Sequence, residues 1–180
     1  MNIAVYCGTS VGNDPVYQEC AKELGLWMAG NGHSLIFGGG NIGLMGVVAK
    51  HVFENSGRVI GVLPSNIDFI TARPQPYCSE IITEADLAAR KQKMLELADA
   101  YIALPGGIGT LDEITEVMTL IKIDKIKKPA VLYDIHGFYS PFKQTIQKII
   151  QCGFMVDQDL KRILFSDNLE DIEAFLLSFQ

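Results

Sequence analysis

The sequence lacks an excess of basic residues and any long apolar run. Its 15 lysines and arginines are outnumbered by 21 aspartates and glutamates, which gives a net charge of −6. A nucleic-acid partner is not expected, because neutralising backbone phosphates requires a basic surface. No apolar run approaches the ~20 residues that span a bilayer, so no membrane partner is expected either. Residues 1–7 have no basic signal-peptide stretch and are typical of a first strand, which predicts a cytoplasmic protein.

Disulfide and metal-binding patterns are also missing. The four cysteines (Cys7, Cys20, Cys78 and Cys152) show neither CxxC nor zinc-ligand spacing, so reduced thiols are predicted. The three histidines are scattered along the chain. No metal site is therefore predicted.

The chain does contain apolar strand-like and helix-like segments that alternate over its 180 residues, 48% of which are hydrophobic. This alternation predicts a single α/β domain over residues 1–180, Rossmann-like, with a mostly parallel sheet and helices on both faces. The predicted strands are 3–7, 33–37, 58–63, 80–83, 100–104 and 130–133. The predicted helices are 15–29 with Asp14 as its N-cap, 43–53, 85–98, 110–122, 138–151 and 169–179. Residues 65–79 are predicted to form an ordered loop over the site.

Three predicted strands end in glycine-rich or hydroxyl-bearing turns, at residues 8–10, 38–40 and 106–110. Ligands of such sheets bind outside the carboxyl ends of the strands, near the point where strand order reverses. We therefore expect the three loops to meet at one crevice.

The second loop satisfies the dinucleotide fingerprint Gly38-x-Gly40-x-x-Gly43. That fingerprint also requires an acid at the end of the next strand, to hold the ribose hydroxyls. Here the next strand ends at Leu63-Pro64 without one. NAD binding is therefore not favoured.

The third loop, within residues 104–113, indicates a catalytic site rather than one that only binds an anion. Its three glycines allow close approach to a ligand, and the helix predicted to begin at Thr110 offers free N–H groups to a phosphate. Asp112 and Glu113 are predicted to lie in the first turn of that helix. Thr110 and Glu113 also match a capping box, which would be a purely structural role, although capping does not require the glycines.

Charged residues near this loop extend the pattern. Glu116 adds a third acid, and such a cluster beside an anion site suits a phosphorylated sugar whose transition state is cationic. Arg90 and Lys91 supply complementary charge on the preceding predicted helix. An isolated basic pair of this kind is otherwise typical of a solvated helix face.

Residues 37–40, 43–46, 90–91 and 105–113 together closely resemble the LOG ("Lonely Guy") family of cytokinin riboside 5′-monophosphate phosphoribohydrolases, long mislabelled lysine decarboxylases. The likeness extends to residues 7–10, 128–129 and 137–139. It implies a homodimer with sites near the interface and no metal or redox cofactor. It also implies hydrolysis of the N-glycosidic bond of a nucleoside 5′-monophosphate, AMP or an N6-modified AMP, to free base and ribose 5-phosphate.

The resemblance implies roles by position. Arg90 and Glu113 match the family's catalytic pair, and further substrate- and phosphate-binding residues are expected at Gly106, Gly107, Gly109, Thr110, Lys91, Gly39, Gly40, Ser10 and Glu116. The chain departs from the family pattern at residues 87–89, Leu-Ala-Ala in place of Met-His-x, and at residues 120–122, Leu-Ile-Lys in place of Trp-x-Gln. These departures bear on which base the site would accept more than on which reaction it would catalyse.

Two other functions fit parts of the pattern. A non-catalytic carrier of a phosphorylated ligand, like the molybdenum-cofactor carriers that share this family's features, would keep the glycine loops but would not need the acid–arginine pair. Amino-acid decarboxylation would require pyridoxal phosphate on a lysine, and the glycine loops contain no lysine.

Overall fold

The structure is a computed structural model that describes residues 1–66 and 76–179. Seven strands lie in these residues: β1 Asn2–Tyr6, β2 Ser34–Phe37, β3 Val59–Pro64, β4 Glu80–Glu84, β5 Ala100–Ala103, β6 Ala130–Tyr133 and β7 Ile163–Ser166. The same described residues contain six α-helices: α1 Pro15–Gly30, α2 Gly43–Glu54, α3 Leu87–Leu97, α4 Ile108–Lys122, α5 Ser140–Gln151 and α6 Leu169–Leu177. Short 3-10 turns lie at Ile135–Gly137 and Asp157–Leu160.

The strands form one parallel sheet in the order β4-β3-β2-β1-β5-β6-β7. The predicted fold class is confirmed, and the six predicted strands are present with ends that differ by at most one residue. Sequence analysis missed β7, a four-residue strand at the edge of the sheet whose side chains are mostly half-buried. Part of the predicted loop 65–79 lies outside the described residues.

Alternating side chains of the central strands build two separate cores. Ile3 and Val5 of β1 face the core that α1, α2 and α6 cover. Ala4 and Tyr6 of the same strand face the opposite core, which α3, α4 and α5 cover. This two-sided burial explains why the strands are nearly continuous apolar runs.

Strand order reverses at β1, which pairs with β2 on one side and with β5 on the other. The crevice expected at such a switch point lies between the carboxyl ends of these strands. The loops that leave β1 and β5 are joined there, since the Gly8 N–H donates to the Pro105 carbonyl at 3.0 Å. Within the described residues, no helix combines the length and apolar character needed to cross a bilayer.

Candidate active site

Helix α4 begins two residues earlier than the sequence predicted. Its N-cap is Gly107, whose backbone is extended, and no side chain caps it. Asp112 and Glu113 therefore lie in the second turn, so the prediction that they lie in the first turn is wrong. The capping-box alternative is also wrong, because Thr110 is the third helical residue and its side chain is turned into the protein, where the residue is 4% exposed.

The early start leaves the N-terminal N–H groups of α4 directed into the crevice without a side-chain cap. Such an end favours an anion, both through its donors and through the helix dipole. A Cβ added at Gly107 or at Gly109 would meet no atom within 4 Å. The protein's own packing therefore does not require glycine at these positions, whereas close approach of a ligand would.

Gly106 is different, because it is required by packing. A Cβ there would lie 2.1 Å from the Thr110 hydroxyl oxygen and 2.9 Å from the Gly8 nitrogen. We expect Gly106→Ala to lower the free energy of unfolding by about 1–3 kcal/mol, the usual range for overpacking. Thermal denaturation measures it, with Gly107→Ala as the matched control of near-wild-type stability. Equal melting temperatures for the two variants would contradict this assignment.

A cavity of about 180 Å³ lies beside this helix end, at the carboxyl edge of the sheet. Five predicted site residues line it: Arg90, Gly107, Gly109, Thr110 and Glu113. The remaining lining residues are Val5, Tyr6, Cys7, Gly8, Thr9, Gly38 and Met45. The catalytic pair implied by the resemblance and the proposed phosphate loop therefore share one cavity.

Arg90 and Glu113 form a largely buried ion pair across the two helices. The Arg90 Nη2 lies 2.5 Å from the Glu113 Oε1, and the two side chains are 14% and 12% exposed. The Arg90 Nε is buried and has no hydrogen-bond partner among the described residues. An unsatisfied buried donor costs about 1–3 kcal/mol, so leaving this N–H without an acceptor is unfavourable.

Gly38 makes room for the guanidinium. A Cβ at Gly38 would lie 3.1 Å from the Arg90 Nη1, closer than ordinary van der Waals contact. The residue that follows β2 therefore leaves room for the Arg90–Glu113 pair by having no side chain.

Burial raises the pKa of Glu113 above its ordinary value of 4.5, and the Arg90 guanidinium beside it offsets part of this effect. Two neighbours at the carboxyl end of β1 are also affected, since burial raises the pKa of the hydroxyl of Tyr6, the last strand residue, and of the thiol of Cys7, which follows it. Both groups are neutral at physiological pH. Cys7 is therefore a packed thiol rather than a nucleophile.

Lys91 and Glu116 are not among the residues that line the cavity. The Lys91 Nζ lies 2.8 Å from the Asp112 Oδ2 and 2.9 Å from the Glu116 Oε2. The structure thus places the second cation of the predicted basic pair on the two acids that flank Glu113.

Of the other predicted site residues, some line a second cavity and some are in close packing contacts. Ser10 and Gly106 line an adjoining, largely apolar cavity of about 270 Å³ that shares Gly8, Thr9 and Gly107 with the first. Gly39 and Gly40 line neither of these two cavities in the described part of the chain. Gly39 has a φ of +74°, and its Cβ would lie 2.7 Å from Leu63, while that of Gly40 would lie 2.5 Å from Met45.

The second glycine loop and the start of α2 pack closely against the first loop. The Leu44 N–H, at the start of α2, donates to the Gly8 carbonyl at 3.1 Å. Gly43 has a φ of +60°, and its Cβ would lie 2.2 Å from the Thr9 carbonyl carbon. The first loop therefore occupies the end of the helix where a dinucleotide phosphate would bind.

Thr9 belongs to the loop 8–10 that was expected at the crevice, whereas Tyr6 and Met45 were not singled out from the sequence. Tyr6 lies at the carboxyl end of β1, where the predicted topology expects a ligand, so that rule could have identified it. Met45 could not have been identified in this way, because its contact depends on how α2 packs.

The two departures from the family pattern lie outside the cavity. Residues 87–89 begin α3 and are exposed or half-buried, and Ile121 is buried in the core beneath α4. No group of three or more His, Cys, Asp or Glu residues in the described ranges is arranged to hold a metal ion.

Comparison with protein families gives a match over residues 45–175 to the family described as "possible lysine decarboxylase". The cytokinin riboside 5′-monophosphate phosphoribohydrolase LOG of Oryza sativa subsp. japonica is 40% identical over 91% of this chain and 67% of its own length. The corresponding LOG7 enzyme of Arabidopsis thaliana is 37% identical over 99% of this chain and 82% of its own length.

Solved structures show the same fold. A crystallised structural-genomics target is 26% identical, with a TM-score of 0.74 and 99% coverage of both chains. The molybdenum cofactor binding protein of Rippkaea orientalis is 21% identical, with a TM-score of 0.72, and covers 98% of this chain and 96% of its own. At that identity the second likeness concerns the fold alone. The family match and the two plant enzymes place this chain in the LOG family.

Proposed function

We propose that this protein hydrolyses the N-glycosidic bond of a nucleoside 5′-monophosphate, AMP or an N6-modified, cytokinin-type AMP, to free base and ribose 5-phosphate. The main support for the proposal is that the buried Arg90–Glu113 pair lines the same cavity as the uncapped N-terminus of α4. The names of the plant relatives state this activity for those proteins.

The 5′-phosphate binds at the start of α4. The N–H groups of the first turn donate to its oxygens, while Gly107 and Gly109 allow the backbone to approach closely. The Thr110 N–H belongs to the same turn. Binding the phosphate at a distance from the reacting bond positions the sugar C1′ against the catalytic pair.

Cleavage passes through an oxocarbenium-like state with positive charge on the ribose. The ionised Glu113 stabilises this charge and orients the water that attacks C1′, and its position away from bulk water strengthens the interaction. The water oxygen bonds to C1′ while the C1′–N bond breaks and its electron pair stays on the base. The attacking water loses one proton and the departing base takes up one, so that water is the only reactant consumed besides the nucleotide. Arg90 orients Glu113 and uses its buried Nε–H to bind an acceptor of the substrate.

Incubation with AMP tests the proposal. We expect adenine and ribose 5-phosphate to accumulate in equal amounts, and we expect adenosine to react at least about tenfold more slowly because it lacks the group that binds α4. Chromatography of the released base measures both rates. Failure to cleave any nucleoside monophosphate in a panel would contradict the reaction, and equal rates for AMP and adenosine would contradict the phosphate site.

The alternatives are less well supported. A carrier of a phosphorylated ligand needs no buried carboxylate against an arginine, yet the chain places this pair in its cavity. A pyridoxal-phosphate decarboxylase needs a lysine for the Schiff base, and none of the cavity-lining residues in the described segments is a lysine.

The proposal includes a homodimer located in the cytoplasm. The dimer is supported by Leu87 and Ile108, the first residues of α3 and α4, which are 44% and 82% exposed. Both lie on the helices that carry the catalytic pair. A second subunit that covers them would further exclude water from the cavity.

A further inference from the structure

We infer that Lys91 is a positioning residue: it neutralises Asp112 and Glu116 and thereby keeps the carboxylate between them ionised and free for the sugar. The inference rests on the proposed function and extends it to a residue that does not line the cavity. It also replaces the expectation that Lys91 binds the substrate.

Two adjacent cations of α3 are matched to three acids of α4. Arg90 pairs with Glu113, while Lys91 contacts Asp112 at 2.8 Å and Glu116 at 2.9 Å. Asp112 and Glu116 are four residues apart, a spacing at which like charges repel on a helix surface. Lys91 removes this repulsion and connects the two helices at the position of the catalytic acid.

The charged and titratable groups around Glu113 come from three elements. Asp112 and Glu116 of α4 raise the pKa of Glu113 in addition to the larger effect of burial. Arg90 and Lys91 of α3 lower that pKa. The facing groups at the carboxyl end of β1, the Tyr6 hydroxyl and the thiol of the following Cys7, are neutral because burial raises the pKa of each.

Lys91 itself stays charged, because its hydrogen bonds to Asp112 and Glu116 raise the pKa of its ammonium group. Its side chain is only 21% exposed, and two of its three donors are already used. It therefore acts through Glu113 rather than on the phosphate. Without it, two uncompensated carboxylates would favour protonation of Glu113.

The test is the pH dependence of kcat at saturating AMP for Lys91→Met. We expect the acidic limb to move to higher pH, so that the loss of kcat is about threefold to tenfold greater at pH 5 than at pH 8. Replacing the two acids as well, in Lys91→Met/Asp112→Asn/Glu116→Gln, is expected to return the limb toward its wild-type position. Lys93→Met is the matched control, because Lys93 lies on the same helix but pairs with Glu84 and Glu96 outside the cavity.

Other roles for Lys91 give different results. A phosphate contact would raise KM for AMP, and the triple variant would not restore it. A merely structural role would lower the melting temperature and kcat at all pH values without moving the limb. Either result would overturn the inference.

Titration of the Glu113 carboxyl by ¹³C NMR separates this inference from the proposed function, because it requires no substrate. Glu113→Gln assigns the resonance. We expect the midpoint to rise in Lys91→Met and to return in the triple variant. An unmoved midpoint would refute the role of Lys91 even in an active enzyme, whereas a wild-type protein inactive on all nucleotides would refute the proposed function alone.

Discussion

Glu113→Gln is expected to lower kcat for AMP by at least about 100-fold. Glutamine keeps the size of the side chain and a hydrogen-bond acceptor for Arg90, but it removes the negative charge that is proposed to stabilise the ribose cation. Acid–base and related charge effects of a positioned carboxylate contribute ~10²–10⁴-fold to such reactions. Steady-state kinetics measures the loss, and circular dichroism verifies that the fold is retained.

The matched control for this variant is Glu80→Gln. Glu80 pairs with Arg58 at 2.6 Å, a distance close to that of the Arg90–Glu113 pair, but on an exposed part of the sheet edge. We expect it to keep wild-type kcat. If the Glu113→Gln enzyme kept more than about a tenth of wild-type turnover, the catalytic role proposed for Glu113 would be wrong.

The dependence of kcat on pH provides a second test of the role of Glu113. Because burial raises the pKa of Glu113, wild-type kcat should fall as the pH decreases through a value above 4.5, where the carboxylate becomes protonated. The residual activity of Glu113→Gln should lack this acidic limb. An identical limb in both proteins would assign the titration to another group.

Gly109→Ala should lower the activity on AMP without lowering the stability of the fold. The added methyl group meets no protein atom within 4 Å, and alanine is the better helix former by about 1 kcal/mol in a helix interior, so we expect an unchanged or higher melting temperature. The same methyl group would enter the space proposed for the phosphate. The loss of charge-assisted hydrogen bonds there corresponds to about 3 kcal/mol, or roughly 100-fold in kcat/KM.

Gly30→Ala provides the comparison, since Gly30 ends α1 and its added Cβ also meets nothing within 4 Å. We expect this variant to keep full activity. The phosphate site would be wrong if Gly109→Ala were as active on AMP as Gly30→Ala.

Much of the fold is predictable because local signals agree with the final packing. Continuous apolar runs separated by glycine and helix-start signals indicate buried parallel strands, and Asp14 caps α1 as expected, accepting from the Val16 N–H at 3.0 Å. The start of α4 was mispredicted for a physical reason. The threonine at 110 resembles a cap in sequence, but the absence of a side chain at Gly106 lets its hydroxyl turn inward against the protein.

The chain order and residue types alone determined the α/β class, the loop proposed to bind the phosphate and the identity of the acid–arginine pair, because strand burial, glycine turns and the family motif are all local patterns. Only the tertiary structure decided what each charge does. Arg90 and Lys91 are neighbours in sequence, yet one faces the cavity with Glu113 and the other lies on Asp112 and Glu116 outside it. Adjacent residues on a helix point about 100° apart, so the packing of α3 against α4, and not the sequence pattern, assigns them different partners.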